Sequence, residues 1–230
     1  MIHKGVYSNI TKIELAGLID HTLLKPEATP DDIKELCDQA VNFGFAAVCI
    51  NPCYVYSARR ELAGTTIGVC AVVGFPLGAN DPSVKAAEAA AAVRAGATEV
   101  DVVMNVGFLK GGLLEQVKAD LEGVVRAARR ERSGTTVKVI LETCLLSDKE
   151  KVEACRLAVA AGADFVKTST GFGKGGATVS DVALLRQAVG PGIGVKASGA
   201  VRDLSAALAM VGAGASRLGT SSGIVILSEF

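Results

Sequence analysis

Two lysines and one aspartate stand inside apolar stretches of this sequence, where a charged side chain needs a partner or a cavity. Lys167 lies in F-V-K-T-S-T, Lys196 in G-V-K-A-S and Asp101 in E-V-D-V-V-M-N. Lys138, in V-K-V-I-L-E, is a fourth candidate. Because an unpaired ammonium group is costly to bury, we expect each lysine to be paired, to lose its proton or to face a cavity.

Two lysines beside a single aspartate would leave positive charge uncompensated. Two ammonium groups about 5 Å apart, at an effective dielectric constant near 20, repel by roughly 3 kcal/mol. This repulsion would lower a lysine pKa from about 10.4 to about 8, and burial would lower it further. A neutral amine attacks carbonyls and forms a Schiff base, which draws electrons from a neighbouring carbon–carbon bond. A structural ion pair is the alternative interpretation for any one of these lysines.

Eight short β-branched segments are predicted as strands, and helical segments lie between most of them. Their ends carry Gly, Pro and Asn, which are typical of strand ends. The predicted strands are Leu18–Leu23, Ala46–Ile50, Ile67–Phe75, Glu99–Asn105, Val137–Glu142, Asp164–Thr168, Gly194–Ser198 and Ser216–Thr220. The predicted helices are Asp31–Phe43, Pro82–Ala95, Leu113–Arg132, Asp148–Ala161, Val179–Val189 and Asp203–Val211.

Continuous apolar strands separated by helices predict a parallel sheet that is covered on both faces. Eight such units in 230 residues match a single α/β domain, residues 1–230, folded as a (β/α)8 TIM barrel with a short N-terminal helix near residues 11–16. An open doubly wound sheet is the alternative, but the glycine fingerprint expected after its first strand is missing.

Strand phase selects the residues that face the barrel interior, because successive strand residues alternate between interior and helix layer. If Val166 faces the helices, Lys167 faces inward. The same phase turns Lys196 and Asp101 inward on their own strands. The C-terminal ends of barrel strands carry the chemistry in enzymes of this fold, so these three side chains are predicted to converge in an active site.

Glycine- and hydroxyl-rich turns follow the last three predicted strands. They read T-S-T-G-F-G-K-G-G-A-T, S-G-A-V-R-D and G-T-S-S-G. Backbone amides in such turns hold phosphate groups, and the loops after strands seven and eight are the usual phosphate site of this barrel. Any one of these turns could serve chain reversal alone, but three at one end predict a phosphorylated substrate.

Composition excludes several kinds of partner. Lysine plus arginine and aspartate plus glutamate each total 24, so neither nucleic acid nor a membrane is an expected partner. Six cysteines without C-x-x-C spacing and two histidines give no expected metal site, and they fit reduced thiols. The first ten residues lack the features of a signal peptide. We therefore expect a cytoplasmic protein.

Eight motifs, taken in order, resemble the deoxyribose-phosphate aldolase family. They are L-I-D-H-T-L-L-K-P, V-C-I-N-P, G-F-P-L-G, E-V-D-V-V-M-N, K-V-I-L-E-T, F-V-K-T-S-T-G-F, V-K-A-S-G-A-V-R and R-L-G-T-S-S. The resemblance implies a class I aldolase that interconverts 2-deoxy-D-ribose 5-phosphate with D-glyceraldehyde 3-phosphate and acetaldehyde, without metal or organic cofactor. A Schiff-base aldolase or transaldolase with another carbonyl donor is the alternative, and a homodimer or homotetramer is possible. A barrel that binds sugar phosphates without turnover is a non-enzyme alternative.

The resemblance also implies roles for individual residues. Lys167 would form the Schiff base, Lys196 would perturb the pKa of that lysine and join a proton relay, and Asp101 would donate and accept protons. Phe172 stands where some members have a lysine, so Lys174 is a candidate cation for the phosphate. Substrate-binding positions are Asp20, Thr22 and Thr170, and phosphate-binding positions are Gly171, Gly199, Ala200, Ser221 and Ser222.

Four further residues near strands are expected to be structural. Lys138 is expected to pair with a carboxylate, and Glu142 with a lysine. Cys49 is interpreted as a core thiol, with reaction with aldehydes as the alternative. His21 has the phase of the helix layer and is expected to pack there.

Overall fold

Eight parallel strands close into a barrel in which each strand pairs with its neighbours along the chain and the first pairs with the eighth. The computed structural model describes residues 10–230. The predicted (β/α)8 TIM barrel is therefore confirmed. That residues 1–230 form one domain stays a prediction, because residues 1–9, with His3 among them, lie outside the described part. The strands are β1 Ile19–Leu23, β2 Ala47–Ile50, β3 Gly68–Val73, β4 Glu99–Val103, β5 Thr136–Ile140, β6 Phe165–Lys167, β7 Gly194–Ser198 and β8 Arg217–Thr220.

Helices connect the strands and cover the outside of the barrel. Sequence analysis did not predict α3, α5 or α10, because these helices have seven, five and six residues and are too short to show a helical period. Within residues 10–230, no helix combines the length and apolarity needed to cross a bilayer. The helices are α1 Lys12–Ala16, α2 Pro30–Phe43, α3 Val55–Glu61, α4 Pro82–Arg94, α5 Val106–Lys110, α6 Leu114–Glu131, α7 Asp148–Ala160, α8 Val179–Val189, α9 Leu204–Gly212 and α10 Gly223–Ser228.

Local sequence fixes where the helices begin. At the start of α7, the Ser147 hydroxyl accepts from the Glu150 amide, and the Glu150 carboxylate accepts from the Ser147 amide. This reciprocal pair satisfies two backbone donors that the helix itself leaves free. Thr29 forms the same arrangement with Asp32 before α2.

The core divides into an apolar layer between barrel and helices and a mixed layer inside the barrel. Val100, Val166 and Val195 are fully buried in the outer layer, as the strand phase predicts. His21 also lies there, with its ring 4.9 Å from that of Phe45, so its predicted packing role is confirmed. Inside the barrel, a small apolar cluster lies among charged side chains and consists of Leu24, Cys49, Cys70 and Val72.

Candidate active site

Three lysine amines meet one carboxylate inside the barrel. Asp101 on β4 accepts from Lys138 at 2.8 Å through Oδ1, and its Oδ2 accepts from Lys167 at 2.8 Å and Lys196 at 2.7 Å. Asp101 lies beside Lys138 in the sheet register, and Lys167 lies beside Lys196. Parallel pairing thus brings the side chains of four consecutive strands together, and the predicted convergence is confirmed.

Further charges lie behind this group. Asp20 contacts Lys196 at 2.5 Å, and Glu99 contacts Lys138 at 2.5 Å. Arg217 bonds to both Asp20 and Glu99. From the sequence, one carboxylate was expected against two lysines, and the participation of Glu99 and Arg217 was not predicted. The whole cluster holds four cationic side chains, Lys138, Lys167, Lys196 and Arg217, against three carboxylates, Asp20, Glu99 and Asp101.

The pKa values of the cluster follow from burial and from these contacts. Burial alone would raise the pKa of Asp101, but three lysine amines outweigh it and hold that pKa well below its ordinary range. Burial would lower the pKa of Lys196, but the carboxylates of Asp101 and Asp20 raise it above its ordinary value. Carboxylates likewise raise the pKa of Lys138 against the effect of burial. The carboxylates therefore outweigh repulsion from the other lysines at Lys138 and Lys196, so neither is the lysine of lowered pKa that the sequence led us to expect.

A cavity of about 290 Å³ opens at the C-terminal end of the barrel, and Lys167 is the cluster member that lines it. The side chains of Lys138 and Lys196 are 0% exposed, whereas that of Lys167 is 3% exposed at the cavity floor. Six of the predicted binding residues also line the cavity. They are Thr22, Thr170, Gly171, Gly199, Ala200 and Ser221.

Two predicted binding residues lie outside the cavity wall. Asp20 is fully buried beneath it and contacts Lys196, because its strand position faces the interior one layer below the opening. Ser222 does not line the cavity, and its backbone amide donates a hydrogen bond to the Thr220 hydroxyl at 2.9 Å. The candidate cation Lys174 is not part of the wall either, but Lys25 and Arg202 are. Neither cation was predicted as a site residue, although Lys25 lies in L-I-D-H-T-L-L-K-P and Arg202 in V-K-A-S-G-A-V-R.

The turns at the rim are shaped for close approach. Gly171 and Gly199 have φ of 86° and 88°, a region that glycine adopts without strain. A Cβ on Gly199 would lie 3.1 Å from the Cα of Gly176 and 3.4 Å from that of Gly171. Within residues 10–230 the amides of Gly171, Gly199, Ala200 and Ser221 have no hydrogen-bond partner, so they are free to donate to an anion.

The interior thiols do not form a favourable metal site. Cys49, Cys70 and Asp101 bring ligand atoms within 4.8 Å of one another. Both oxygens of Asp101 already accept from lysines, and Lys138 Nζ lies 3.3 Å from the Cys70 sulfur. A metal ion would have to displace or face these ammonium groups, which opposes its binding.

Glu142 lies two residues after β5 in a left-handed conformation, with φ of 55°. Its carboxylate accepts from the Thr170 hydroxyl and, at 3.4 Å, from the Thr170 amide. The expected pairing of Glu142 with a lysine is therefore wrong. The hydrogen bonds between Glu142 and Thr170 instead connect the turn after β5 to the loop that follows Lys167.

Comparison with known proteins finds aldolases over most of the chain. Residues 15–229 match the model of the DeoC/LacD family aldolase. Deoxyribose-phosphate aldolases from Enterococcus faecalis and Brevibacillus brevis are 55% and 57% identical to this chain, covering 94% and 91% of it and 97% and 93% of their own lengths. The solved structure of a tetrameric deoxyribose phosphate aldolase from Aeropyrum pernix is 39% identical with a TM-score of 0.88, covering 96% of this chain and 92% of that one. The family match includes every residue of the cluster and the cavity.

Proposed function

The chain belongs to the DeoC/LacD family of aldolases, and we propose that it reversibly cleaves 2-deoxy-D-ribose 5-phosphate to D-glyceraldehyde 3-phosphate and acetaldehyde through a Schiff base on Lys167. The observation that carries the proposal is the position of Lys167. Lys167 belongs to the buried charge cluster and also lines the cavity at the C-terminal end of the barrel, where a carbonyl compound reaches its amine.

The distribution of contacts supports Lys167 as the reactive amine. With every group ionised, the cluster carries one more positive than negative charge. Lys138 and Lys196 each contact at least two carboxylates. Among the described residues, Asp101 is the only carboxylate in contact with Lys167, and Asp101 also contacts both other lysines. A neutral amine at this position balances the remaining charges of the cluster and places a nucleophile at the cavity.

In the synthetic direction, the neutral amine of Lys167 attacks the carbonyl carbon of acetaldehyde. Loss of water gives an iminium, and loss of a methyl proton gives an enamine. Asp101, which is ionised beside Lys167, accepts this proton through water, and Lys196 keeps the carboxylate in position. The enamine adds to the aldehyde carbon of D-glyceraldehyde 3-phosphate, and hydrolysis releases the sugar phosphate. Cleavage follows the reverse path.

The rim of the cavity is the proposed phosphate site. The free amides of Gly171, Gly199, Ala200 and Ser221 point to anion binding, and Lys25 and Arg202 add positive charge at the same wall. Thr22 and Thr170 are the proposed partners of substrate hydroxyl groups. Direct substrate contact by Asp20 and Ser222 stays a prediction. Binding of the phosphate contributes orientation of the reacting carbons rather than bond making.

Borohydride trapping tests the proposal and its alternative together. Acetaldehyde and borohydride should convert Lys167 to a stable secondary amine, whereas dihydroxyacetone should give little adduct. A coupled assay should detect D-glyceraldehyde 3-phosphate released from 2-deoxy-D-ribose 5-phosphate. Preferential trapping of dihydroxyacetone would favour an aldolase or transaldolase with another donor, and binding without cleavage would contradict an enzymatic role.

We also propose that the protein self-associates and is cytoplasmic. The tetramer described for the Aeropyrum pernix relative supports a homodimer or homotetramer here. Light scattering on the purified protein would measure the mass directly. A cytoplasmic location stays a prediction from the unpaired cysteines.

A further inference from the structure

A second layer of charge lies below the reactive lysine in the barrel interior. Glu99 and Arg217 are the first residues of β4 and β8, so they lie toward the N-terminal end of the barrel, and neither lines the cavity. Their carboxylate and guanidinium groups are 3.0 Å apart, and their side chains are 12% and 15% exposed. A Cβ on Gly68 would lie 2.9 Å from Oε1 of Glu99, so glycine at this position leaves room for the carboxylate.

Glu99 reaches the site through one lysine. Its carboxylate contacts Nζ of Lys138 at 2.5 Å, and the same Nζ contacts Asp101 at 2.8 Å. Asp101 is also the carboxylate that contacts Lys167 at 2.8 Å. The negative charge of Glu99 therefore lies three contacts from the amine proposed to react, and both intermediate side chains are 0% exposed.

Arg217 reaches the same carboxylate along another route. Its guanidinium contacts Asp20, which contacts Lys196 at 2.5 Å. Lys196 contacts Asp101 at 2.7 Å. Burial would lower the pKa of Arg217, but the carboxylates of Asp20 and Glu99 raise it above its ordinary value, so the guanidinium stays charged.

The two residues are opposite parts of the charge balance. With a neutral amine at Lys167, three cations face three carboxylates, and Glu99 and Arg217 supply one of each. Salt screens buried charges weakly. At an effective dielectric constant near 20, a unit charge about 10 Å away moves a proton equilibrium by about one pH unit. Loss of either residue should therefore change how readily the interior holds a proton.

We propose that Glu99 and Arg217 set, in opposite directions, the pH range in which Lys167 forms its Schiff base. Both are positioning residues, because they act through the charges around Asp101 and do not line the cavity. Glu99 favours the protonated interior and raises the pH at which reaction begins, whereas Arg217 lowers it. The inference rests on the proposed aldolase function and deepens it. The alternative is a pair that only closes the end of the barrel, which would affect stability and not pH dependence.

Exchange of the methyl protons of acetaldehyde in deuterated buffer provides the readout. Formation of the enamine removes a methyl proton and its reversal returns a deuteron, so NMR follows the Schiff-base chemistry without a second aldehyde. Acetaldehyde carries no phosphate or other titrating group, so the pH dependence of the exchange rate belongs to the enzyme. The measured quantity is the pH at which the rate reaches half of its plateau, in the wild type, Glu99→Gln, Arg217→Gln and the double variant.

Glu99→Gln should lower this half-maximal pH by at least about 0.5 unit, because it removes an anion that favours the proton. Arg217→Gln should raise it by at least about 0.5 unit, because it removes a cation that opposes the proton. The double variant loses one charge of each sign, so its half-maximal pH should lie between those of the single variants. Shifts in the same direction, or a shift smaller than about 0.5 unit in either single variant, would overturn the inference.

An exposed pair of the same residue types provides the matched control. Arg94 and Glu131 contact each other at 2.7 Å, with side chains 58% and 27% exposed. Arg94→Gln and Glu131→Gln should leave the half-maximal pH within about 0.2 unit of the wild type, because solvent and salt screen this pair. Arg217→Lys keeps the buried charge and should also leave it unchanged, even where its different geometry lowers the rate. A shift in Arg217→Lys equal to that in Arg217→Gln would assign the effect to shape and overturn the inference.

Thiols are the other titratable groups beside the shared carboxylate. Cys49 and Cys70 both contact Asp101. The opposite shifts should persist when the two single variants are repeated in a Cys49→Ala and in a Cys70→Ala background. Their disappearance would assign the pH dependence to a thiol and overturn the inference.

The half-maximal pH is a ratio of rates within one sample, so it does not depend on the fraction of chains that fold. One folded single variant suffices to test the direction of the shift, and the double variant leaves neither member of the pair without the other. Absence of exchange in the wild type would overturn the proposed function. Exchange whose half-maximal pH does not respond to Glu99 or Arg217 overturns this inference alone.

Discussion

At Asp101, one carboxylate serves three ammonium groups, and the surroundings give these groups different properties. Lys196 and Lys138 have further carboxylates at 2.5 Å and do not line the cavity at the C-terminal end of the barrel. Lys167 pairs with the carboxylate of Asp101 alone among the described residues, and it lines that cavity. The same residue type therefore supplies a fixed charge at two positions and a candidate nucleophile at the third.

Asp101→Asn should lower kcat for cleavage by about 10²- to 10⁴-fold, because an amide cannot accept the proton that the relay transfers. The substitution also leaves three buried amines without their shared carboxylate, so the free energy of unfolding should fall by about 3–5 kcal/mol. Steady-state kinetics and urea unfolding measure the two effects. Asp164→Asn, at a half-exposed ion pair with Arg129, is the control and should keep kcat. An Asp101→Asn enzyme with wild-type kcat would exclude the relay role.

Lys25→Gln and Arg202→Gln should each raise KM for 2-deoxy-D-ribose 5-phosphate by about 10- to 100-fold, with a smaller change in kcat. A hydrogen bond to a charged group contributes about 1.5–3 kcal/mol, and the phosphate is remote from the bond that breaks. Lys174→Gln is the matched control, because Lys174 does not line the cavity. A larger effect from Lys174→Gln than from the other two variants would contradict this phosphate site.

Part of the site could be predicted from single strands. Alternation along a strand identified Lys167, Lys196 and Asp101 as inward-facing residues, and the structure confirms these orientations. Glu99 and Arg217 were missed because they lie at the starts of β4 and β8, near the other end of the barrel interior. Which inward residues share a layer depends on the stagger of the closed sheet, and sequence periodicity does not contain that stagger.

At the scale of elements, the site depends on strands whose ends are fixed by the helices packed outside them. The long helices were predicted because their caps and apolar spacing are visible in the sequence, as at Ser147 before α7. The short helices α3, α5 and α10 were not, since they contain fewer than two full turns and tertiary packing stabilises them. The most extensive helix pairing is between α4 and α6, of which α4 packs on β3 and β4 and α6 packs on β4 and β5.

Two ion pairs join α4 to α6 and differ in burial, which allows a matched comparison. Lys85 and Asp120 are 0% and 1% exposed, whereas Arg94 and Glu131 are 58% and 27% exposed. Asp120→Asn should lower the free energy of unfolding by about 3–5 kcal/mol, because it leaves the Lys85 charge buried without its partner. Glu131→Gln should cost less than about 1 kcal/mol.

Urea unfolding of both variants provides the measurement, and cleavage activity at 25 °C provides a control for the site. Both variants should keep kcat, because neither pair contacts the cavity. Equal destabilisation by the two substitutions would show that burial does not set the strength of this contact.

At the scale of the whole molecule, the barrel encloses charges that an apolar outer layer keeps away from water. The outer layer holds Val100, Val166 and Val195, and the interior holds the cluster around Asp101. Such an interior is stable only while its carboxylates are ionised, since protonation would leave cations unpaired. The molecule therefore couples its folding to the same charges that we propose for catalysis.

Acid should destabilise the protein through these carboxylates. Burial raises the pKa of Asp20, but Lys196, Lys138 and Arg217 outweigh it and lower the pKa from its ordinary value of 3.8 to about 2. Because the pKa of Asp20 is lower in the folded protein, the Asp20 carboxylate of the unfolded chain binds a proton at higher pH than that of the folded chain. The stabilisation from Asp20 is therefore present above pH 3.8 and is lost as the pH falls toward 2. Asp20 alone should contribute roughly 2 kcal/mol over this window, and Asp101 acts in the same direction.

Urea unfolding between pH 5 and pH 2, in the wild type and in Asp20→Asn, measures this dependence. The wild type should lose stability more steeply below about pH 4 than the variant, because the variant has one fewer carboxylate to protonate. Parallel curves for the two proteins would contradict the lowered pKa of Asp20.

The central claim is that Lys167 is the reactive amine and Lys196 is a fixed charge beside it. Borohydride reduction with labelled acetaldehyde, followed by mass spectrometry of peptides, tests it in the wild type, Lys167→Leu and Lys196→Leu. The wild type should carry one ethyl group on Lys167, Lys167→Leu should carry none in the barrel interior, and Lys196→Leu should be labelled slowly or not at all on Lys167. An adduct on Lys196, or interior labelling that survives in Lys167→Leu, would contradict the account.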